Sequence, residues 1–203
     1  MASLFPLFLR LEGRRCLLVG AGNIAAQKID SLLSAGAVIH VVAPSAGDTV
    51  GGLVREGLVC WSQRAFRSSD LDGAVLVIAA TGDRVVNETV FREARRRGIL
   101  CNAVDEPERC DFYYPAVVRR GDLQIAISTA GHSPALAQRI RKDLEIRFSQ
   151  DYAEWLSWLG EVRARLFRKP IDPERRKRTL HRIASAKVYD RFVANRRKKA
   201  GQR

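Results

Sequence analysis

Asn102 and Asp105 stand three residues apart in Asn102-Ala103-Val104-Asp105, directly after the short apolar run Leu100-Cys101. A carboxylate placed there could receive a proton or attract a cation beside a bound ligand, with the amide shaping its surroundings. It could equally end a strand and cap the next turn. A second constellation, Ser128-Thr129-Ala130-Gly131-His132-Ser133-Pro134, is a small-residue loop leading into a helix. Its hydroxyls and the helix N–H groups would cradle a carboxylate or phosphate, or would simply link two elements. His132 is the one histidine of three in a polar, small-residue setting. No two histidines approach metal-ligand spacing, and Cys16, Cys60, Cys101 and Cys110 contain no CxxC pair, so no preformed metal site is expected. Free thiols in a reducing compartment are the simpler expectation.

The third constellation is a glycine loop. Cys16-Leu17-Leu18-Val19 runs directly into Gly20-Ala21-Gly22-Asn23-Ile24-Ala25, with a helical pattern from Ala26 to Ala35. Gly20 would allow the tight turn, Gly22 the approach of backbone to a pyrophosphate, and Ala25 close packing of helix on strand. This predicts dinucleotide binding. The acidic residue that usually closes the second strand and holds the adenosine ribose is replaced by Val42-Ala43-Pro44-Ser45, leaving Ser45 or backbone amides for that role; no arginine follows immediately, so local chemistry favours NAD over NADP only moderately. Thr81 and Gly82, after a fourth strand, could pack along the cofactor with Asn87 nearby, or serve only as turn and cap.

These residues need a scaffold. Strands at residues 16–19, 38–42, 58–62, 75–79 and 100–102, alternating with helices at 26–35, 49–55 and 85–97, predict a Rossmann-type, doubly wound parallel sheet in the order 3-2-1-4-5. Beyond Asp105 the texture changes. Two strands, 112–118 and 123–128, separated by Arg119-Arg120-Gly121-Asp122, predict a hairpin. Helices follow at 135–148, 152–167 and 173–196, the first capped by Ser133 with Pro134 at its first position. The expected organisation is a nucleotide-binding domain over 1–112, a small α+β dimerisation segment over 113–150, and a helical region with a basic tail over 151–203.

Charge is distributed unevenly. The 203 residues carry 35 Lys/Arg and 22 Asp/Glu, yet residues 1–162 hold 19 of each sign and residues 163–203 hold 16 basic against 3 acidic. The whole excess therefore belongs to the end of the chain, which excludes a generic basic nucleic-acid binder. Aromatics are sparse there, with only Phe167, Tyr189 and Phe192 and no interleaved stacking motif. No apolar run approaches the roughly 20 residues of a membrane span, and the first ten residues lack a leader pattern, so a cytoplasmic protein is expected.

Taken together, Leu4-Phe5-Pro6-Leu7-Phe8, the stretch Val19 to Lys28, Asn102 to Asp105 and Ser128 to Pro134 resemble the precorrin-2 dehydrogenase and sirohydrochlorin ferrochelatase family, the amino-terminal module of siroheme synthase. The resemblance runs to about residue 165. It implies NAD-dependent oxidation of precorrin-2 to sirohydrochlorin, in some members followed by insertion of ferrous iron, and a homodimer that packs through the middle segment. It assigns Asn23, Ile24, Pro44 and Ser45 to NAD and Asp105 to the chemistry. Thr129 stands where some relatives carry a phosphorylatable serine, and Ala130 replaces a glycine. No methyltransferase domain is evident, so methylation is expected from a separate uroporphyrinogen methyltransferase. The competing expectation is an NAD-binding regulatory or structural protein without turnover.

Overall fold

The computed structural model describes residues 4–200, with side chains through 198. The chain divides into two compact units, Met1–Tyr113 and Tyr114–Arg203. In the first, β1 (Arg15–Val19), α1 (Asn23–Ser34), β2 (Val38–Val42), α2 (Asp48–Arg55), β3 (Cys60–Ser62), β4 (Ala74–Ala79), α3 (Arg84–Arg96) and β5 (Leu100–Ala103) follow one another. The strands pair in parallel in the order β3-β2-β1-β4-β5, as the alternation of apolar runs and helical stripes predicts.

Parallel strands are covered on both faces, so the central ones must be apolar throughout. Leu17, Leu18, Val77 and Ile78 are completely buried in β1 and β4. From the helices, Ala25, Ile29 and Leu32 of α1 and Val90 and Ala94 of α3 turn inward at helical spacing. Each buried Leu or Ile contributes roughly 1.5–3 kcal/mol. β3 is short and only partly buried, and side chains fasten it: Trp61 Nε1 donates to the Ala43 carbonyl at 3.0 Å, and His40 Nε2 meets Ser62 Oγ at 2.9 Å. In register, Val19 stands opposite Val42 and Ala79, and Ala79 opposite Ala103. All these strands thus end on one rim.

The second unit opens with an antiparallel hairpin, β6 (Ala116–Arg120) and β7 (Leu123–Ile127), followed by α4 (Pro134–Arg147), α5 (Asp151–Phe167), α6 (Pro173–Ile183) and α7 (Ala186–Ala200). Two expectations are corrected. Arg119 and Arg120 belong to β6, not to the turn, which shrinks to Gly121-Asp122. Gly121 takes a φ of +56°, which closes the hairpin in two residues. Arg120 stays extended because its guanidinium reaches back to α4, donating from Nε to the Phe148 carbonyl at 2.7 Å and from Nη2 to the Glu145 carbonyl at 3.1 Å. The second correction is that the helix expected over 173–196 is two helices. α6 stops at Ala184, and the Ser185 carbonyl restarts the pattern by accepting from Val188 and Tyr189 at 3.0 and 3.1 Å. The break lets Tyr189 reach α5, where Tyr152, Trp155 and Tyr189 pack with centroids 4.4–5.5 Å apart.

Candidate functional site

The glycine loop turns at the end of β1. Gly20 has a φ of +105°, and a Cβ there would stand 2.4 Å from the Ala80 carbonyl oxygen, so β1 and the β4 loop meet at a distance only glycine permits. Gly22, the residue preceding α1, is different: a Cβ there would meet nothing within 4 Å. No side chain caps α1, so its first N–H groups point outward with no capping partner from the chain. Ala21 is buried, while Gly22, Asn23 and Ile24 are exposed. An open approach, uncapped donors and the positive end of the helix dipole fit a pyrophosphate.

Pro44 and Ser45 are exposed in the loop after β2, and that loop is fastened to the glycine turn by Gly47 N–H donating to the Ala21 carbonyl at 3.0 Å. Across the sheet, Thr81 Oγ1 donates to Asn87 Oδ1 at 2.7 Å, and Asn87 Nδ2 returns to the Thr81 carbonyl at 3.2 Å. Asn87 is 3% exposed, so it works as an internal strut. Asp83 caps α3, accepting from Val85 at 2.8 Å. Gly20, Gly22, Asn23, Ile24, Pro44, Ser45 and Thr81 accordingly lie on one rim.

Asn102 and Asp105 lie on the same rim beyond β5. Val104 N–H donates to the Ala79 carbonyl, and Ala80 N–H to the Val19 carbonyl, at 2.9 and 2.8 Å, which steps the loops side by side. Asp105 is exposed and has a φ of +61°, a left-handed conformation that costs an ordinary side chain energy. Asn102 is buried; its amide donates to the Phe112 carbonyl at 2.8 Å and to Cys110 Sγ at 3.3 Å. It holds the chain after Asp105 against β5, with Asp111 accepting from Cys101 N–H at 2.9 Å.

Lys28 was not singled out as a site residue. It is half-buried on α1, where burial pulls its ammonium below the ordinary lysine value while the Asp105 carboxylate pulls it back up. The two charges are therefore electrostatic neighbours. Sequence carries one signal for this, the position of Lys28 one turn beyond the glycine loop. Two of the thiols are poor nucleophiles: burial pushes Cys16 up to about 11 and, with Asp111 adding to it, Cys101 up to about 12.

Ser128, Thr129, His132 and Ser133 belong to the second unit. The loop is tightly self-bonded. Thr129 Oγ1 accepts from Ser133 N–H at 3.2 Å, Ser128 Oγ accepts from Ala130 N–H at 3.1 Å, and Ser133 Oγ caps α4 by accepting from Leu136 N–H at 3.2 Å. Ala130 holds a φ of +50°, next to Gly131 at +82°, so an alanine occupies a conformation better suited to glycine. His132 is exposed. Among the described residues no group of His, Cys, Asp and Glu is arranged to hold a metal ion, and no helix is long and apolar enough to cross a membrane. A groove of about 520 Å³ on α3, lined by Phe91, Arg92, Arg95 and Arg109 among others, contains none of these site residues. Its Arg109 is already paired with Glu88 at 3.2 Å.

Comparison with known proteins agrees with this geometry. Residues 7–116 match the family described as "Putative NAD(P)-binding", and residues 120–146 match the family described as "Sirohaem biosynthesis protein central". The chain is 38% identical over 190 residues to the siroheme synthase of Photorhabdus laumondii, covering 94% of this chain and 40% of that protein. It is 41% identical over 158 residues to the siroheme synthase of Methylobacillus flagellatus, covering 78% of this chain and 34% of that one. The chain thus spans well under half the length of these curated relatives. Among solved structures, the precorrin-2 dehydrogenase SirC superposes with a TM-score of 0.76 at 29% identity, covering 96% of this chain and 100% of that one.

Proposed function

Since the chain belongs to the precorrin-2 dehydrogenase and sirohydrochlorin ferrochelatase family, the amino-terminal module of siroheme synthase, we propose that it oxidises precorrin-2 to sirohydrochlorin with NAD. The observation that carries the proposal is the shared rim, where an uncapped, open glycine loop and a strained, exposed carboxylate end neighbouring parts of one parallel sheet. Such crevices at strand ends are where open α/β sheets bind ligands.

The oxidation removes a hydride and a proton from the macrocycle. Bound NAD supplies the hydride acceptor. The Gly22 to Ala25 N–H groups would hold its pyrophosphate, and Pro44 and Ser45 would receive its adenosine end. Asp105 takes up the proton at a carboxylate oxygen, with the Lys28 ammonium as its electrostatic neighbour. Asn102 acts by fixing the backbone that presents Asp105. Ser128, Thr129, His132 and Ser133 bind substrate carboxylates, in keeping with a loop whose N–H groups and hydroxyls are already fixed in shape. Ferrous iron is a second substrate in the extended form of the proposal, with Asp105 collecting the pyrrolic protons that leave as it enters. A cytoplasmic setting accords with four free thiols.

The test is anaerobic turnover of precorrin-2 with NAD, followed by addition of ferrous iron, with the two spectral changes recorded separately. Asp105→Ala and Asp105→Asn are expected to bind NAD normally and to lose roughly 10²-fold or more in the first step. Near-normal rates in both folded variants would remove Asp105 from the mechanism. NAD binding by the unaltered protein with no oxidation of precorrin-2 would favour a regulatory NAD-binding role.

A further inference from the structure

We propose that Arg163, Phe167 and Arg176, where α5 gives way to α6, form a carboxylate-binding site that takes a peripheral carboxylate of the tetrapyrrole. The choice of a tetrapyrrole as occupant rests on the dehydrogenase reading; the presence of an anion site does not.

Arg163 and Phe167 are four residues apart and share one face of α5. Arg176 arrives from the first turns of α6. Both guanidinium carbons lie close to the same ring, at 4.6 Å for Arg163 and 4.4 Å for Arg176 from the Phe167 centroid. Two like charges are thereby held within about one Debye length of each other at physiological ionic strength. Among the described residues neither is paired with a carboxylate. Arg176 spends one N–H on the Ile171 carbonyl at 3.0 Å, and its Nε is buried with no partner. Two acids of these helix ends have other partners: Glu161 lies 3.9 Å from Arg165, and Asp172 accepts from Arg175 N–H at 2.8 Å. Arg196 shows the contrast, reaching Asp151 and Glu154 at 3.3 and 2.6 Å.

An arginine pair braced on a ring offers rigid donor forks that match carboxylate oxygens, and an anion between them would relieve their repulsion. Phe167 is 52% exposed, so the corner is open to solvent. It also stands in the segment that holds the chain's entire excess of positive charge, residues 163–203. Nucleic acid fits less well. Tyr189 is packed against Tyr152 and Trp155, and Phe192 lies 5.8 Å from Trp158, leaving Phe167 alone to stack a base.

The experiment titrates the full chain with uroporphyrin, a soluble polycarboxylated macrocycle, following its fluorescence. The double variant Arg163→Gln with Arg176→Gln is expected to weaken binding about 10-fold or more, and Arg163→Gln alone, on an exposed helix surface, by about 3- to 10-fold. Lys187→Gln with Arg191→Gln removes the same charge from α7 and should cost less than about 3-fold. Equal losses in the two double variants would reduce the corner to diffuse attraction and overturn the proposal, as would unchanged binding in the first. Binding of polyglutamate but not uroporphyrin would overturn the choice of occupant. Precorrin-2 turnover is measured alongside: its absence with corner-dependent uroporphyrin binding sinks the dehydrogenase reading and leaves this site standing, and the reverse pattern does the opposite.

Discussion

Gly20 and Gly22 are separated by one residue and constrained by different physics. An alanine at Gly20 would drive its Cβ to 2.4 Å from a backbone oxygen at a φ of +105°, so Gly20→Ala should cost folding stability of roughly 2 kcal/mol or more, read by urea denaturation. A Cβ at Gly22 meets no atom within 4 Å, so Gly22→Val should keep the protein's stability within about 1 kcal/mol, a margin that covers the poorer capping of valine. Its NAD affinity, measured by calorimetry, should nevertheless fall at least about 10-fold, because the side chain fills the approach to the α1 N–H groups; unchanged affinity would move the cofactor elsewhere. The Lys28–Asp105 pair gives a pH prediction at the same scale. Burial lowers the Lys28 value and Asp105 raises it, so Asp105→Asn leaves burial unopposed. The Lys28 titration, followed by NMR of its side chain, should move to lower pH in that variant; a midpoint that stays or rises would show that the two charges do not communicate.

At the scale of elements, a sequence is legible where one periodicity has one physical cause. The central strands were readable because burial on both faces demands continuous apolar runs, as in Val75-Leu76-Val77-Ile78-Ala79, and the strand order followed from the alternation with helices. The rim positions of the glycine loop and Asp105 came with it, because they directly follow strands. The neighbourhood of Lys28 and Asp105 was not readable, since it joins residues distant in sequence through side-chain geometry alone. The break at Ala184-Ser185 was hidden for another reason: neither glycine nor proline marks it, and it is the packing of Tyr189 onto α5 that accompanies it. The hairpin turn was misplaced because Arg119 and Arg120 look like turn residues until the tertiary partner of Arg120 is known. That partner makes a prediction. Arg120→Ala removes two donors from the last carbonyls of α4 and should destabilise the protein by about 1–3 kcal/mol in thermal or urea unfolding, without altering NAD affinity. An unchanged midpoint would mean that water replaces the guanidinium at no cost.

The whole molecule raises the question of what completes the second unit. Among the described residues its sheet has two strands, β6 and β7, so each has one edge with no strand partner there. On α4, Ile146 is 84% exposed and Leu136 is 39% exposed, an apolar presence that an isolated chain would leave to water. A second copy of the chain could cover both features at once, since a two-fold axis brings the same edge and the same helix face together from each partner. The gain would come from the middle of the chain and not from the basic end, where α6 has no buried residue and like charges repel. Sedimentation equilibrium at micromolar concentration should therefore report about twice 22.7 kDa, with little dependence on salt. Ile146→Glu places a charge on the proposed contact without touching the core of either unit, so it should shift the protein toward monomer while leaving NAD binding intact. A monomer at all working concentrations in the unaltered protein, or a dimer unaffected by Ile146→Glu and dissolved by salt, would place the contact elsewhere and leave the hairpin edges to a different cover.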